Sequence, residues 1–575
     1  MATTPTRPGR PQDERPTTTA ARERRRAMLP AARLQGLALT IACGLVASIP
    51  VIIATVEGLR EGAIATGDRA IILTRAYDVF SSHTPLVGQY SASSLLYDHV
   101  VHSLGPLSYW LLAVPVRIDA AVAPALAVAL MNVLAILAAV VLARRRGGIP
   151  MMIVSALAIT LMCNSIAPET FHDAWNPSVG LLPLMALIFV GWSLACGERR
   201  LLPLGVLLAS FAAQSELVFL VPSVGVLALG MLGLALKAPG RARAWRWWLA
   251  ALATGLACWS APIVDELQGK PGNLTLVAEA AFSHGHTVGY GAGWRAVVRA
   301  VGITPWWLTH VKDPFGRLAD IHGTPGTLAL ASCLALLAAL AVALAAGARR
   351  ARADVAWGCA IALVLCFSLV GITASMSARP SLEKSLGYML WIGSPIGMWA
   401  WLMLTFSAGV LLAPLLRRAL ARAQLARAWR PSLALGGLTL TLAVAGTVAA
   451  GQGPDQDRAE YRPVKIVQQA VRAALGPTPR SVLVTGAHTF TAFDFRAAVV
   501  YELRRSGWRV YDPAASVRLG SYYRPPKGAS LTTVWIFDEA HPRKYGRVIE
   551  RLSFGAPAKT ITVELSAPRG GGGSH

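Results

Sequence analysis

Residues 34–56 read LQGLALTIACGLVASIPVIIATV, without one Asp, Glu, Lys, Arg or His, and follow a stretch that carries Arg22, Arg24, Arg25 and Arg26. The run exceeds the ~20 residues needed to cross the hydrocarbon core of a bilayer. It is also too long for the apolar part of a cleaved signal. Basic flanks stay on the cytoplasmic side, so the N-terminus is expected inside. Every second span must then leave the membrane into a basic loop.

The chain follows that alternation. A span at 121–143 is followed by Arg144, Arg145 and Arg146, and one at 177–196 by Arg199 and Arg200. The span at 217–236 leads into Lys237, Arg241, Arg243 and Arg246, and that at 325–347 into Arg349, Arg350 and Arg352. A further span, 387–415, ends at Arg417 and Arg418. Between them lie apolar runs at 149–166, 200–215, 247–264, 354–374 and 432–451, which brings the expected total to eleven. An odd number puts the C-terminus outside, together with a first loop of about 57–120 and a second of about 265–323.

Composition agrees with a multi-pass plasma-membrane protein. The chain is 54% hydrophobic and 15% charged, and its net charge of +24 comes in clusters between apolar runs. A nucleic-acid binder would carry that excess on one continuous face, so nucleic acid is excluded as a partner. The seven cysteines all sit inside apolar runs, without a CxxC pair, and read as small buried hydrophobes.

Four regions follow: a disordered cytoplasmic tail at 1–32, a polytopic α-helical domain at 33–451, an outer α/β domain at 452–569 and an appended glycine-rich linker and tag at 570–575. The α/β reading rests on an amphipathic Val464–Leu475, a strand at Ser481–Thr485, a helical Ala492–Arg505, and strands at Val534–Phe537 and Thr560–Val563. The first strand ends in Thr485-Gly486-Ala487, which is no GxGxxG fingerprint, so a nucleotide is not inferred.

Chemistry-bearing residues gather at the outer ends of the spans. Asp68 opens the first loop, where it can cap or begin a helix over Ala70–Phe80. His102 and Tyr109 flank Gly105-Pro106 later in that loop, in a place that also suits an interfacial aromatic belt. The next short loop carries Glu169, His172, Asp173, Trp175 and Asn176 before Pro177; capping explains part of that set, and a hydroxyl-rich ligand or a divalent cation would use the rest. Gln214 and Glu216 interrupt an apolar stretch, where an acid facing lipid would cost a few kcal/mol and is expected to face a cavity instead. Asp265 begins the second large loop, which also contains His284, His286, Arg295, His310 and Lys312. With Arg379 and Lys384, Arg295 is a candidate clamp for a phosphate group.

In their order along the chain, Gly67-Asp68, Gly105-Pro106-Leu107-Ser108-Tyr109, Asp173-Ala174-Trp175-Asn176-Pro177 and Pro271-Gly272-Asn273-Leu274 resemble the membrane-embedded GT-C glycosyltransferases. The similarity is to the actinobacterial relatives of the arabinofuranosyl-, mannosyl- and aminoarabinose transferases, and covers residues 34–415. It implies a polyprenyl-phosphate sugar donor, a glycan or lipid acceptor, a part in building the cell envelope, and Asp68 as catalytic base. Two positions depart from the family pattern: His102-Ser103-Leu104-Gly105-Pro106 stands for His-Pro-Gly-Pro, and Gln214-Ser215-Glu216 for Gln-Thr-His. The second departure argues against a metal at that position. The rival readings are a flippase of polyprenyl-linked sugars, which would want internal repeats and mid-depth acids, and a scaffold whose outer domain binds glycan.

Overall fold

The computed structural model describes residues 34–95, 97, 99–237, 241–282, 285–310, 317–420, 430–538 and 545–568. The tail at 1–32, the linker at 570–575, His284 and Lys312 lie outside them. The first apolar run forms α1 (Leu34–Ala47) and α2 (Ile49–Glu61), bent by 47°. The first large loop holds α3 (Gly67–Asp78), α4 (Leu107–Leu112) and α5 (Pro115–Ile118). Then come α6 (Val122–Cys163), α7 (Asn176–Ala195), α8 (Leu202–Ser215), α9 (Leu220–Leu236) and α10 (Arg241–Gln268). The second large loop contributes α11 (Asn273–Phe282), α12 (Gly289–Val301) and α13 (Arg317–His322). The helical domain closes with α14 (Thr327–Arg349), α15 (Ala353–Ala374), α16 (Pro380–Ser385), α17 (Gly393–Leu420) and α18 (Arg430–Gly451).

Among the described residues, eight helices are long and apolar enough to cross a membrane, or nine with the bent first pair counted as one span. Two features account for the difference from the expected eleven. The expected spans 121–143 and 149–166 are the two arms of one helical run, α6, which breaks at Gly148 (φ 70, ψ −160), so both expected spans stand. Its arms fold back on each other. A straight helix would carry Asn132 about 46 Å from Cys163 at ~1.5 Å per residue, yet the Asn132 amide donates to the Phe171 carbonyl at 3.0 Å. The chain from Cys163 to Phe171 can retrace at most ~28 Å. The other feature is α8, expected at 200–215, whose 14 residues rise only about 21 Å, short of the ~30 Å hydrocarbon core.

α7 is buried along its whole apolar length and forms the axis of the helical domain, packed against α6, α8, α9 and α15. Its Trp192 and Phe189 meet Trp399 of α17 edge to face at 5.5 and 5.0 Å. These are geometries in which the ring edge of one partner faces the π cloud of the other.

After α19 (Arg458–Leu475) the C-terminal region forms β1 (Ser481–Gly486), α20 (Phe490–Arg505), β2 (Arg509–Tyr511), α21 (Ser516–Leu519), β3 (Thr532–Phe537), β4 (Arg547–Phe554) and β5 (Lys559–Ser566). The sheet order is β2-β1-β3-β5-β4; β2, β1 and β3 run parallel, and the β5 and β4 strands antiparallel. β2 and β4 are absent from the sequence reading. β2 has only three residues, and β4 is largely exposed, so neither shows a hydrophobic alternation.

The composition change at 452 does not mark a boundary in packing. Ile71, Ile72 and Leu73 of α3 share one hydrophobic core with Val482, Val484, Phe495 and Val500 of the C-terminal region. α3 and α20 lie side by side and parallel: Gly67 touches Asp494 near the N-terminal ends, and Arg504 donates to Asp78 at the C-terminal ends, at 3.1 Å. Asp78 is fully buried and also accepts from Tyr523 at 2.7 Å, with His83 at 3.0 Å. Removing one partner of such a network leaves the others buried and unpaired, at a cost of about 3–5 kcal/mol. Asp78→Ala is therefore expected to detach the C-terminal domain at markedly lower denaturant than Lys527→Ala, an exposed control, when unfolding is followed by limited proteolysis.

Candidate functional site

Gly67 and Asp68 begin α3, next to the N-terminal turn of α20. Gly67 has φ +49, and a Cβ there would stand 2.2 Å from Asp494 Oδ1, so both conformation and space require glycine. The N-cap position belongs to Thr66 and Asp68 lies inside the first turn, so of its two expected roles it begins the helix and does not cap it. The expected helix over Ala70–Phe80 also starts earlier and ends at Asp78. With the cap role removed, the Asp68 carboxylate faces the cleft and is about one-third exposed.

Two groups hold Asp68. Gln89 donates to it at 3.1 Å and accepts from the buried Tyr109 hydroxyl at 3.4 Å. Arg518 of α21 forms an ion pair with it, and its guanidinium lies over Tyr90 at 5.0 Å and Phe493 at 4.8 Å. The cation at Asp68 thus comes from the far end of the chain. Arg295 instead donates to the Ile321 carbonyl, Arg379 to the Leu95 carbonyl at 3.2 Å, and Lys384 is exposed on α16.

Arg69, the next residue, gathers the second wall. It bonds Asp173 at 2.8 Å and Asp457 at 2.6 Å and lies over Trp175 at 5.5 Å. His172 pairs with Asp455 at 3.1 Å, which also accepts from Tyr461 at 2.8 Å. Asn176 donates to Glu216, and Tyr388 approaches that carboxylate at 3.5 Å while packing edge to face on Trp175. Asp173, Trp175, Asn176 and Glu216 are thereby brought together. Tyr388, Gln89, Asp455, Asp457, Asp494 and Arg518 complete the cleft without having been singled out in the sequence. Gln89, Asp455, Asp457 and Arg518 lie in segments with no apolar rhythm to interrupt, whereas Tyr388 and Asp494 fall inside the expected span 387–415 and the expected helix Ala492–Arg505, where one aromatic or one acid does not stand out.

Other sequence candidates act as supports. The His102 backbone N–H donates to Asn273, and its ring lies 3.3 Å from the Val517 carbonyl, next to Arg518. Burial drives the His102 imidazole down to about 4, so it is neutral at physiological pH. Asp265 accepts the Asn273 N–H at 2.9 Å, and the Asn273 amide donates to the His102 carbonyl at 3.1 Å. Gln214 donates to the Cys258 carbonyl at 2.8 Å and wedges against Gly105, where a Cβ would meet it at 2.2 Å. The second loop and the α8–α10 pair thus brace the first loop.

Electrostatics set the acids apart. Burial, helped by Glu460 and Asp457 and opposed by Arg69, pushes Asp494 up to about 8. Burial pushes Glu169 up to about 7, with Arg69 opposing. In the connection between α8 and α9, burial also raises Glu216, and the charge of Asp68 adds to it. Behind Arg69 a cavity of about 50 Å³ is lined by Glu169, His172, Asp173, Asp457 and Tyr461, room for a few waters. Among the described residues, no group of three or more His, Cys, Asp or Glu is placed to hold a metal ion.

Known proteins offer limited likeness. No family model matches the chain and no curated protein matches it. Among solved structures it is similar to the archaeal oligosaccharyltransferase AglB from Archaeoglobus fulgidus, in complex with an inhibitory peptide and a dolichol-phosphate. That match has 12% identity, a TM-score of 0.32, and coverage of 88% of this chain and 70% of that one. The Archaeoglobus fulgidus oligosaccharyltransferase in complex with Zn and sulfate matches at 10% identity and a TM-score of 0.30, over 86% of this chain and 68% of that one. Its apo form matches at 12% and 0.27, over 79% and 63%.

A carboxyl whose folded pKa is raised binds more protons in the folded state than in the unfolded one, so its contribution to stability falls as pH rises between the two values. For Asp494 and Glu169 that window runs from the ordinary carboxylate range near 4 to about 8 and about 7. From pH 5 to pH 8 these two carboxyls should take stability away, whereas His102, held down to about 4, adds stability up to its ordinary value near 6.5. The Asp494→Asn, Glu169→Gln double variant should show a flatter slope over the same interval, and an equal slope would contradict the assignment.

Proposed function

We propose that the chain is a GT-C-type glycosyltransferase of the plasma membrane. In this reading it moves a sugar from a polyprenyl-phosphate donor to a glycan or lipid acceptor on the outer face, with Asp68 as general base. The observation that carries it is the Asp68–Arg518 pair: a part-exposed carboxylate fixed by Gln89 beside a guanidinium on the α21 loop. The resemblance of the Gly67-Asp68 and Asp173–Pro177 motifs to that family supports the same role.

The chemistry follows from these groups. The acceptor hydroxyl oxygen attacks the anomeric carbon and its proton passes to Asp68. The carbon–oxygen bond to phosphate breaks, and its electron pair leaves with the polyprenyl phosphate. Arg518 offers a guanidinium fork to that phosphate, a stronger partner than a single carboxylate oxygen. As Arg518 shifts to the phosphate, the Asp68 carboxylate is freed from its ion pair to take the acceptor proton. Glu216, Asn176 and Tyr388 provide donors and acceptors for acceptor hydroxyls on the opposite wall. A divalent cation is not required by this scheme.

Loss of a positioned general base lowers turnover by about 10²–10⁴-fold, and Asp68→Asn should do so while still binding donor lipid. Arg518→Ala should lower turnover by about 10²–10³-fold, the magnitude seen when a charge-stabilising donor is removed, and Arg518→Lys should recover part of it. The assay is transfer of radiolabelled sugar from a panel of polyprenyl-phosphate donors to envelope glycan fragments. Undiminished transfer by Asp68→Asn would remove the base from the mechanism.

The sidedness has its own check. Lys527→Cys should react with an impermeant maleimide on intact cells, and Arg350→Cys only after permeabilisation. The reverse pattern would invert the orientation.

A further inference from the structure

The first loop and the C-terminal region meet a second time, at the end of α3 away from Asp68. There the last turns of α20 rest on α5 and on the turn before α6: Tyr501 donates to the Ala120 carbonyl and Arg505 to the Val116 carbonyl, both at 3.1 Å. Arg117 of α5 ties the junction to α3. It donates to the Ala113 carbonyl at 3.0 Å and to the Tyr77 carbonyl at 2.6 Å, and its guanidinium lies over the Tyr77 and Phe80 rings at 4.5 and 4.9 Å.

The junction stands where a lipid-facing surface ends. α6 is apolar enough to cross a membrane, and Val122, Leu126, Leu130 and Leu134 are exposed at every fourth position of its first arm, which places them on one face of the helix. Apolar side chains on the outside of a span meet acyl chains. α5 packs on α6, and on it Val114 is 56% and Ile118 73% exposed, with Phe80 at 64% beside Arg117. Large apolar side chains left uncovered together mark an interaction surface. Continuity with the outside of α6 makes the bilayer its occupant.

Charge decides which lipid suits it. In the neighbouring turns Arg504 pairs with Asp78, and Arg472 with Glu502. Arg117 and Arg505 hydrogen-bond only to carbonyls among the described residues, and each has further N–H donors to offer. Asp119 is close enough to feel the charge of Arg505, but its Oδ1 is taken by the Ala121 and Val122 N–H groups at 2.8 and 2.6 Å. The junction therefore keeps a surplus of positive charge. Arginine side chains rooted in apolar surface at the end of a span carry their guanidinium groups at headgroup level, where they suit a phosphate.

We infer that this junction binds an anionic phospholipid, its phosphate between Arg117 and Arg505 and its acyl chains along Ile118 and the exposed face of α6. Arg117 belongs to the first loop and Arg505 to α20, so one headgroup bridges the two regions and strengthens the docking of α20 on α3. The inference goes beyond the transferase reading and stands without it.

The test is fluorescence anisotropy on the purified full chain in neutral detergent, with labelled phosphatidylglycerol as probe and labelled phosphatidylcholine as comparator. Phosphatidylglycerol should bind about tenfold more tightly, a difference equivalent to ~1.4 kcal/mol. Arg117→Gln with Arg505→Gln removes both charges, keeps amide donors for the carbonyls, and should bring the two lipids level. Unchanged thermal unfolding in lipid-free detergent checks its fold. In nanodiscs, replacing half of the phosphatidylcholine by phosphatidylglycerol should slow proteolytic release of the C-terminal domain in the wild type and leave the double variant unaffected. Equal phosphatidylglycerol binding by the wild type and the double variant would overturn the inference. So would displacement of the probe by polyprenyl phosphate more readily than by unlabelled phosphatidylglycerol, which would assign the seat to that lipid. Asp68→Asn is expected to bind the probe as the wild type does, so a failure of the transferase reading registers in the transfer assay and a failure of this one in anisotropy.

Discussion

The parallel contact between α3 and α20 is the constraint on which the cleft depends. At one end it presses the Gly67 backbone against Asp494, and at the other it buries Asp78 among Arg504, Tyr523 and His83. Outside the bilayer, burying Ile71, Ile72 and Leu73 between the two regions is driven by the hydrophobic effect, at roughly 1.5–3 kcal/mol per side chain as an upper figure. Within the bilayer that driving force is absent, and helices such as α7 rely on close packing instead. The α3–α20 pair therefore joins two parts of the protein that are held together by different physics.

Several properties of the site follow from that contact. Parallel packing sets two helix N-termini side by side, so Asp68 and Asp494 share one space and the charges of the acids act on one another. The same docking brings the α21 loop over the first loop, where Val517 meets His102 and Arg518 meets Asp68. It also places Asp455 and Asp457 against His172 and Arg69. The acids divide into two kinds. Asp173 and Asp457 are paired with one arginine and hold the walls together, whereas Asp68 is part-exposed and its partner sits on a surface loop.

Residues picked out by chemistry alone were sorted by their surroundings. Asp173, Trp175, Asn176 and Glu216 were visible because polar groups next to long apolar runs stand out against their background, and they do converge. Asp265, His102 and Gln214 stood out in the same way and turned out to brace backbone. Type and position cannot separate a ligand group from a brace, because both need a polar side chain at the end of a helix. Arg518 is one of many arginines in a basic chain, and nothing local distinguishes it.

The sequence by itself determined the polytopic helical class, since a run such as 34–56 has no stable place in water, and it determined the alternation of basic loops. It also marked a C-terminal α/β region through alternation in Ser481–Thr485 and Val534–Phe537. Only the tertiary structure decided that the C-terminal region shares its core with the first loop. The physical reason is range. Hydropathy and periodicity are local properties of consecutive residues, whereas the pairing of Asp68 with Arg518, 450 positions away, is fixed by how two helices pack.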